Sequence, residues 1–184
     1  MDRASLYNEA YDARRRVPSA ELGESAVRDS KRMLLWVQEA RDRFLAARDW
    51  RGLRVLECGG GVGGVSLQLA ELGAQCTVVD VSSTALQLAR ELARARGLTL
   101  KTIEMDLGRP PAEELPLFDI IIDSHLLHCL PLDPERTSFL QLVKDQLAPG
   151  GILVGETMAF RKKLFLPDGV RLDEEKILWQ KIGD

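Results

Sequence analysis

The residues with the most chemical potential stand in four short stretches. The first is Glu57-Cys58-Gly59-Gly60-Gly61-Val62-Gly63-Gly64. Acids follow at Asp80 and Asp106, and the run Asp123-Ser124-His125-Leu126-Leu127-His128-Cys129 completes the set. Glycines at this density let the backbone turn sharply and approach a small molecule where a Cβ would collide. His125 and His128 are the only histidines of the chain, and an imidazole can accept or release a proton near neutral pH. Together with Asp123 and Cys129 they could also ligate a metal. A structural zinc needs four settled ligands, however, and no second cluster elsewhere completes such a set, so no metal is expected. Nothing near Cys129 marks its thiol as activated.

Two kinds of ligand fit the glycine turn alone. Gly59, Gly61 and Gly64 satisfy the dinucleotide spacing G-x-G-x-x-G, with Asp80 placed where a ribose-binding acid would lie. Gly59, Gly61 and Gly63 equally satisfy G-x-G-x-G, preceded two residues earlier by Glu57. A pyrophosphate wants the N–H groups of a helix N-terminus and no neighbouring anion. A carboxylate at that position suits a ligand with cationic centres and no phosphate. S-adenosylmethionine, with its ammonium and sulfonium, is such a ligand.

Composition narrows the classes further. At 184 residues the chain is long enough for about one domain with its own core. It carries 25 basic and 28 acidic residues, for a net charge of −3, so no overall electrostatic footprint for nucleic acid exists. Arg14-Arg15-Arg16 reads as a solvated helix end. No apolar run is long enough to span a bilayer, and the first residues lack a signal-peptide core. The three cysteines, Cys58, Cys76 and Cys129, are isolated and odd in number, which suits reduced thiols and a cytoplasmic protein.

The elements that must position these residues alternate regularly. Residues 1–50 read as a helical cap: a short helix near Tyr7 and Tyr11, a break at Pro18 and Gly23, and a longer helix with an apolar stripe of Met33, Leu34, Val37, Ala40, Phe44 and Leu45. Residues 51–184 read as a second unit. Strands are expected at Leu53–Leu56, Cys76–Val79, Leu98–Ile103, Phe118–Ile122 and Ile152–Val154, the fourth being the most apolar and therefore central. Helices fill the gaps: Val65 to Leu72, stopped by Gly73; one capped by Ser82 or Ser83 and running to Gly97; and Pro134 to Leu147. Such alternation means an α/β fold, with right-handed crossovers, a mainly parallel, doubly wound Rossmann-like sheet and helices on both faces. Ligands bind beyond the C-terminal ends of such strands, where the four stretches above fall.

In order and spacing, "VLECGGGVG", "CTVVDVS", "IEMDL", "FDIIIDSHLLHCL" and "LAPGGILVGE" resemble the class I S-adenosylmethionine-dependent methyltransferases, over residues 51–157 and closest to the bacterial small-molecule type. The resemblance implies S-adenosylmethionine as cofactor, S-adenosylhomocysteine as product and a small-molecule acceptor. It places Glu57, Gly59, Gly60, Gly61 and Gly63 around the methionine end. Asp80, beside Val81, would take the ribose hydroxyls, and Asp106 the adenine amine, with Met105 and Leu107 flanking the ring. Asp123 and Ser124 would face the reactive end, and His128, ahead of His125, would serve if the acceptor must lose a proton. No N-P-P-Y or D-P-P-Y run follows the fourth strand, which sets aside the amino-methylating enzymes that rely on it. A nicotinamide oxidoreductase, or a non-catalytic cofactor-binding subunit, is the rival reading.

The resemblance stops at the end. Class I enzymes close the sheet with antiparallel sixth and seventh strands, whereas here Leu172 to Ile182 reads as a helix and Arg161-Lys162-Lys163 as solvent-facing. Strands six and seven are therefore expected to be missing, because the chain is a fragment, stops early, or is completed by a partner. An uncovered fifth strand is an adhesive edge. It predicts a homodimer, a partner chain or poor solubility, and a stable monomer in size-exclusion chromatography would contradict that expectation.

Overall fold

The computed structural model describes residues 2–45, 49–111 and 114–158, together with the backbone of 170–172 and 178–180. In chain order the elements are α1 (Arg3–Arg14), α2 (Ser19–Phe44), β1 (Arg54–Cys58), α3 (Gly64–Glu71), β2 (Gln75–Asp80), α4 (Ser83–Ala95), β3 (Lys101–Glu104), β4 (Phe118–Ser124), α5 (Asp133–Gln146), β5 (Leu147–Glu156), β6 (Val170–Leu172) and β7 (Leu178–Gln180). A single 3₁₀ turn, Leu127–Cys129, follows β4.

The five long-range strands form a parallel sheet in the order β3-β2-β1-β4-β5. The expected alternation is thus realised, though β1 rather than β4 occupies the middle. Period-two alternation splits the core between the two faces. Val55, Val78, Ile120 and Ile122 face Met33 and Val37 of α2, Val65 and Leu69 of α3, and Leu86 and Leu92 of α4. Leu56, Val79 and Ile121 point the other way, onto Phe139, Leu142 and Val143 of α5. Helices therefore cover both faces, and every connection returns the chain to put a strand's C-terminal end at the same edge.

Local chemistry explains several element ends. Ser82 caps α4, its hydroxyl accepting the Ala85 amide at 3.1 Å. Gly73 follows α3 at φ 99°, as its capping role requires. At the N-terminal edge, Asp119 ties β4 to β1. Its carboxylate accepts the Arg54 amide at 2.9 Å and the guanidinium at 2.9 and 3.2 Å. The guanidinium holds this carboxyl below its ordinary range, so its contribution to stability is present above the unfolded value of 3.8 and lost as pH falls through the lower folded one. Asp119→Asn should accordingly lower the urea midpoint at pH 7, and the gap to wild type should close below about pH 4.

Several expectations are corrected. Gly23 does not break a helix: it lies buried inside α2, where its carbonyl accepts from Arg96 at 3.2 Å and an added Cβ would stand 3.3 Å from the same guanidinium. Only the Arg15–Pro18 connection separates the first two helices, and Phe44 is exposed rather than part of the buried stripe. β3 starts at Lys101, three residues later than read, and β5 starts at Leu147 rather than Ile152. Finally, the segment read as a helix over Leu172 to Ile182 carries the strand β7, which pairs antiparallel with β6, Arg171 lying opposite Trp179. They pair with each other and not with the main sheet, which has no antiparallel sixth or seventh strand among the described residues. Arg161, Lys162 and Lys163 lie outside the described residues.

Candidate active site

The parallel register sets Glu57, Asp80 and Asp123 side by side at one edge, since Cys58 pairs with Val79 and Asp123. All three are buried carboxylates. Burial raises each pKa above the ordinary range, against the pull of backbone N–H donors.

Their partners differ. Glu57 turns under the N-terminus of α3, where Oε2 accepts the Ser66 amide at 2.9 Å. Asp80 accepts the Gly61 amide on Oδ2 and the Ser82 amide on Oδ1, each at 2.9 Å. An ionised carboxylate has about four acceptor sites, so both oxygens retain capacity for a ligand. Asp123 instead grips its own loop, accepting from Leu126 at 2.7 Å and Leu127 at 3.2 Å. That loop carries His125 at φ 68°, the one non-glycine residue with positive φ among those described.

The glycine turn runs between these acids. The Gly59 and Gly60 amides both donate to the Val79 carbonyl, at 2.8 and 3.3 Å. Gly59 and Gly61 have positive φ. A Cβ on Gly59 would stand 2.9 Å from that of Leu126, and one on Gly61 would overlap the Tyr11 hydroxyl. Gly63 lines neither of the two cavities described below: it leads into α3 and packs towards Val78 and Leu100.

Two cavities open here. The first, about 530 Å³, is lined by Asp80, Val81, Met105, Asp106 and Leu107, with Tyr7 and Tyr11 of α1 over it. The second, about 770 Å³, holds Glu57, Gly60, Ser124, Arg14, Arg32 and Glu156. Tyr11, Gly59 and His125 line both and form their junction. Burial pushes both tyrosines up to about 12, so they stay neutral. Burial, with His125 nearby, holds the His128 pKa down. Its Nδ1 receives the Met158 amide at 3.4 Å, and the two imidazoles meet edge-on with centroids 5.6 Å apart. No group of three or more His, Cys, Asp or Glu side chains suited to a metal occurs among the described residues. Burial also raises the Cys58 and Cys76 thiols, Cys76 to about 12.

Four contributors were not visible as site residues in the sequence. Arg3 of α1 reaches Asp106 at 2.7 Å and Glu135 at 2.5 Å, so Asp106 is not a free acceptor. Arg14, read as part of a solvated helix end, lies over the Tyr11 ring at 5.0 Å and lines the second cavity. Arg32 and Glu156 form an ion pair across that cavity from α2 and β5. Asn8 and Asp12 also seat α1, accepting from Ser82, Thr84 and their neighbours on α4.

The donor set discriminates between ligands. The amide at the start of α3 is already satisfied by an internal carboxylate, and a second acid stands one strand away. A pyrophosphate would meet two anions there, whereas a ligand with cationic centres and a ribose meets complementary groups.

Comparison with known proteins agrees. Residues 55–151 match the model of the methyltransferase domain family. The 2-heptyl-1-hydroxyquinolin-4(1H)-one methyltransferase of Mycobacteroides abscessus is 35% identical over 115 residues, which cover 62% of this chain and 49% of the relative. The tRNA 5-carboxymethoxyuridine methyltransferase of Escherichia coli K12 is 31% identical over 125 residues, covering 67% of this chain and 46% of the relative. Among solved structures, the CcbJ methyltransferase from Streptomyces caelestis superposes with a TM-score of 0.56 at 26% identity, covering 69% of this chain and 48% of that one. The chain spans about half the length of the curated relatives it matches. No described helix is long and apolar enough to cross a membrane. By its family match, its parallel sheet and its acid-lined glycine turn, the chain belongs to the class I S-adenosylmethionine-dependent methyltransferases.

Proposed function

We propose that this chain binds S-adenosylmethionine and transfers its methyl group to a small molecule. The observation that carries the reading is Glu57, a buried carboxylate placed under the N-terminus of α3, where a phosphate would otherwise be held. The bound cofactor supplies an electrophilic methyl group on a sulfonium. The chain's own residues do the rest. Asp80 takes the ribose hydroxyls on the lone pairs that the Gly61 and Ser82 amides leave. Glu57 attracts the ammonium, and Arg14, which has no carboxylate partner among the described residues, suits the methionine carboxylate. Met105 and Leu107 bracket the base, and Asp106 accepts its amine by exchanging partners with Arg3. The 1–50 helical cap excludes water through Tyr7 and Tyr11, and a dry, aligned pocket contributes much of the acceleration in an in-line displacement.

A small acceptor is supported by the net charge of −3 and by cavities of a few hundred Å³ roofed by helix α1. Calorimetry with S-adenosylhomocysteine and with NADH tests the cofactor; heat from NADH alone would overturn the reading. Methyl transfer from isotopically labelled cofactor is then followed into a metabolite pool, into 2-heptyl-1-hydroxyquinolin-4(1H)-one and into bulk tRNA. Label in the small-molecule fractions is expected. Label confined to tRNA would overturn the acceptor class, and none with intact cofactor binding would favour a non-catalytic binding subunit.

A further inference from the structure

Several groups at the site are given no part in holding the cofactor by the reading above, and one pair among them stands at the junction of the two cavities. His125 lines both cavities at their junction, whereas His128 lines neither of the two. His128 is already engaged by the Met158 amide through Nδ1. His125 Nε2 lies 3.5 Å from Glu156 Oε2. Glu156 is itself oriented by Arg32 of α2: the guanidinium spans both of its oxygens, with Nε 3.3 Å from Oε2. The carboxylate is four-fifths covered while half of the imidazole remains open. Asp123, two residues before His125, holds the following amides and so fixes a backbone conformation that a histidine rarely adopts. Left-handed backbone in a non-glycine residue is unfavourable, and it persists where the surroundings over-determine it.

Resting on the methyltransferase reading above, we propose that His125 is the proton acceptor for the methyl acceptor, and that Glu156 is its positioning residue. Glu156 favours the tautomer with hydrogen on Nε2, which leaves the Nδ1 lone pair free at the junction. The acceptor is therefore a nucleophile that carries a removable proton, a hydroxyl above all. Its O–H bond breaks, the proton goes to His125 Nδ1, and the electron pair stays on the acceptor oxygen. The imidazolium then releases a proton to solvent through its open face. A separation of 3.5 Å is long for a hydrogen bond, and such contacts commonly tighten when the complex forms.

The chain has two histidines, so His125→Asn and His128→Asn assign every imidazole nitrogen signal without ambiguity. Long-range ¹H–¹⁵N spectra of the uniformly labelled chain near neutral pH should show His125 with a protonated Nε2 and a bare Nδ1. In Glu156→Gln the two His125 nitrogen shifts should move towards each other as the tautomers mix, and Glu156→Asp should restore part of the separation. His128 and the backbone amide spectrum should stay unchanged in both. A His125 pattern unaffected by Glu156→Gln, or a wild-type His125 with hydrogen on Nδ1, would overturn the pairing. In the labelled-methyl screen, His125→Asn should lose incorporation into hydroxyl acceptors by about 10²- to 10⁴-fold while keeping its affinity for S-adenosylhomocysteine; unchanged incorporation would overturn the proton-acceptor role. Failure of S-adenosylhomocysteine to bind wild type at all would instead strike the cofactor reading, and the tautomer result would stand apart from it.

Discussion

Asp80→Ala should weaken S-adenosylhomocysteine binding by more than about a hundredfold, with the sheet still folded. Two losses combine. The first is direct: a carboxylate accepting two ribose hydroxyls makes charge-assisted hydrogen bonds, each contributing about 1.5–3 kcal/mol. A loss of about 2.7 kcal/mol is already a hundredfold in affinity. The second acts through the turn, because the same oxygens hold the Gly61 and Ser82 amides at 2.9 Å. Without them the glycine loop and the start of α4 lose a common anchor, and two buried N–H groups have to find other partners. Calorimetry on the variant checks the prediction, with circular dichroism confirming the fold. Affinity within fivefold of wild type would remove Asp80 from the cofactor site.

The second large effect has opposite signs in stability and in binding. Glu57 is 1% exposed, and burial raises its pKa well above the unfolded value of 4.5. For an acid, that direction means the folded chain favours the protonated form. Stability is then greatest below the unfolded pKa and falls as pH rises through it towards the folded one. Glu57→Gln keeps an acceptor for the Ser66 amide and removes the charge. The variant should therefore gain on wild type as pH rises above about 4.5, by roughly 2–4 °C in Tm near pH 8 if the relief is ~1 kcal/mol. The same change should weaken S-adenosylhomocysteine, since the ammonium loses its counter-charge. Thermal melts across pH 4–8 and calorimetry at pH 7 read the two sides separately. A variant less stable than wild type at high pH would show that the carboxylate is worth more to the fold than its desolvation takes away.

How far the molecule is legible from its sequence depends on the range of the interaction involved. The strands, the Ser82 cap and the Gly73 stop follow from local pattern, and the acids Glu57 and Asp80 are placed by the strands that end in them. Gly23 misleads because its small size serves close approach to Arg96 of another helix, not a turn. Pro149-Gly150-Gly151 lies within β5 but interrupts its ladder: β5 pairs with β4 at Leu147 and again from Ile152, the register shifts between, and a Cβ on Gly151 would stand 3.0 Å from the Phe118 carbonyl. Val170–Leu172 and Leu178–Gln180 pair as strands although the spacing from Leu172 onward reads as helical, because pairing is settled by a partner segment six residues away. Within the site, Arg3, Arg14, Arg32 and Glu156 arrive from three elements distant in sequence. Their meeting depends on how α1 and α2 dock, and no local periodicity encodes that.

The seating of α1 has a consequence for how tightly any adenine-bearing ligand can be held. Arg3 satisfies Asp106 and Glu135 from inside the protein, so an adenine bound at Asp106, as proposed above, would meet an acceptor already occupied by an internal cation. Binding at Asp106 is then an exchange of partners, and the affinity measured is the difference between two contacts. Added salt screens the internal pair as well as the ligand's own charges, which makes the usual salt-weakening of a charged ligand shallower here. The closed position of α1 thus works as a built-in competitor, one whose concentration never falls to zero.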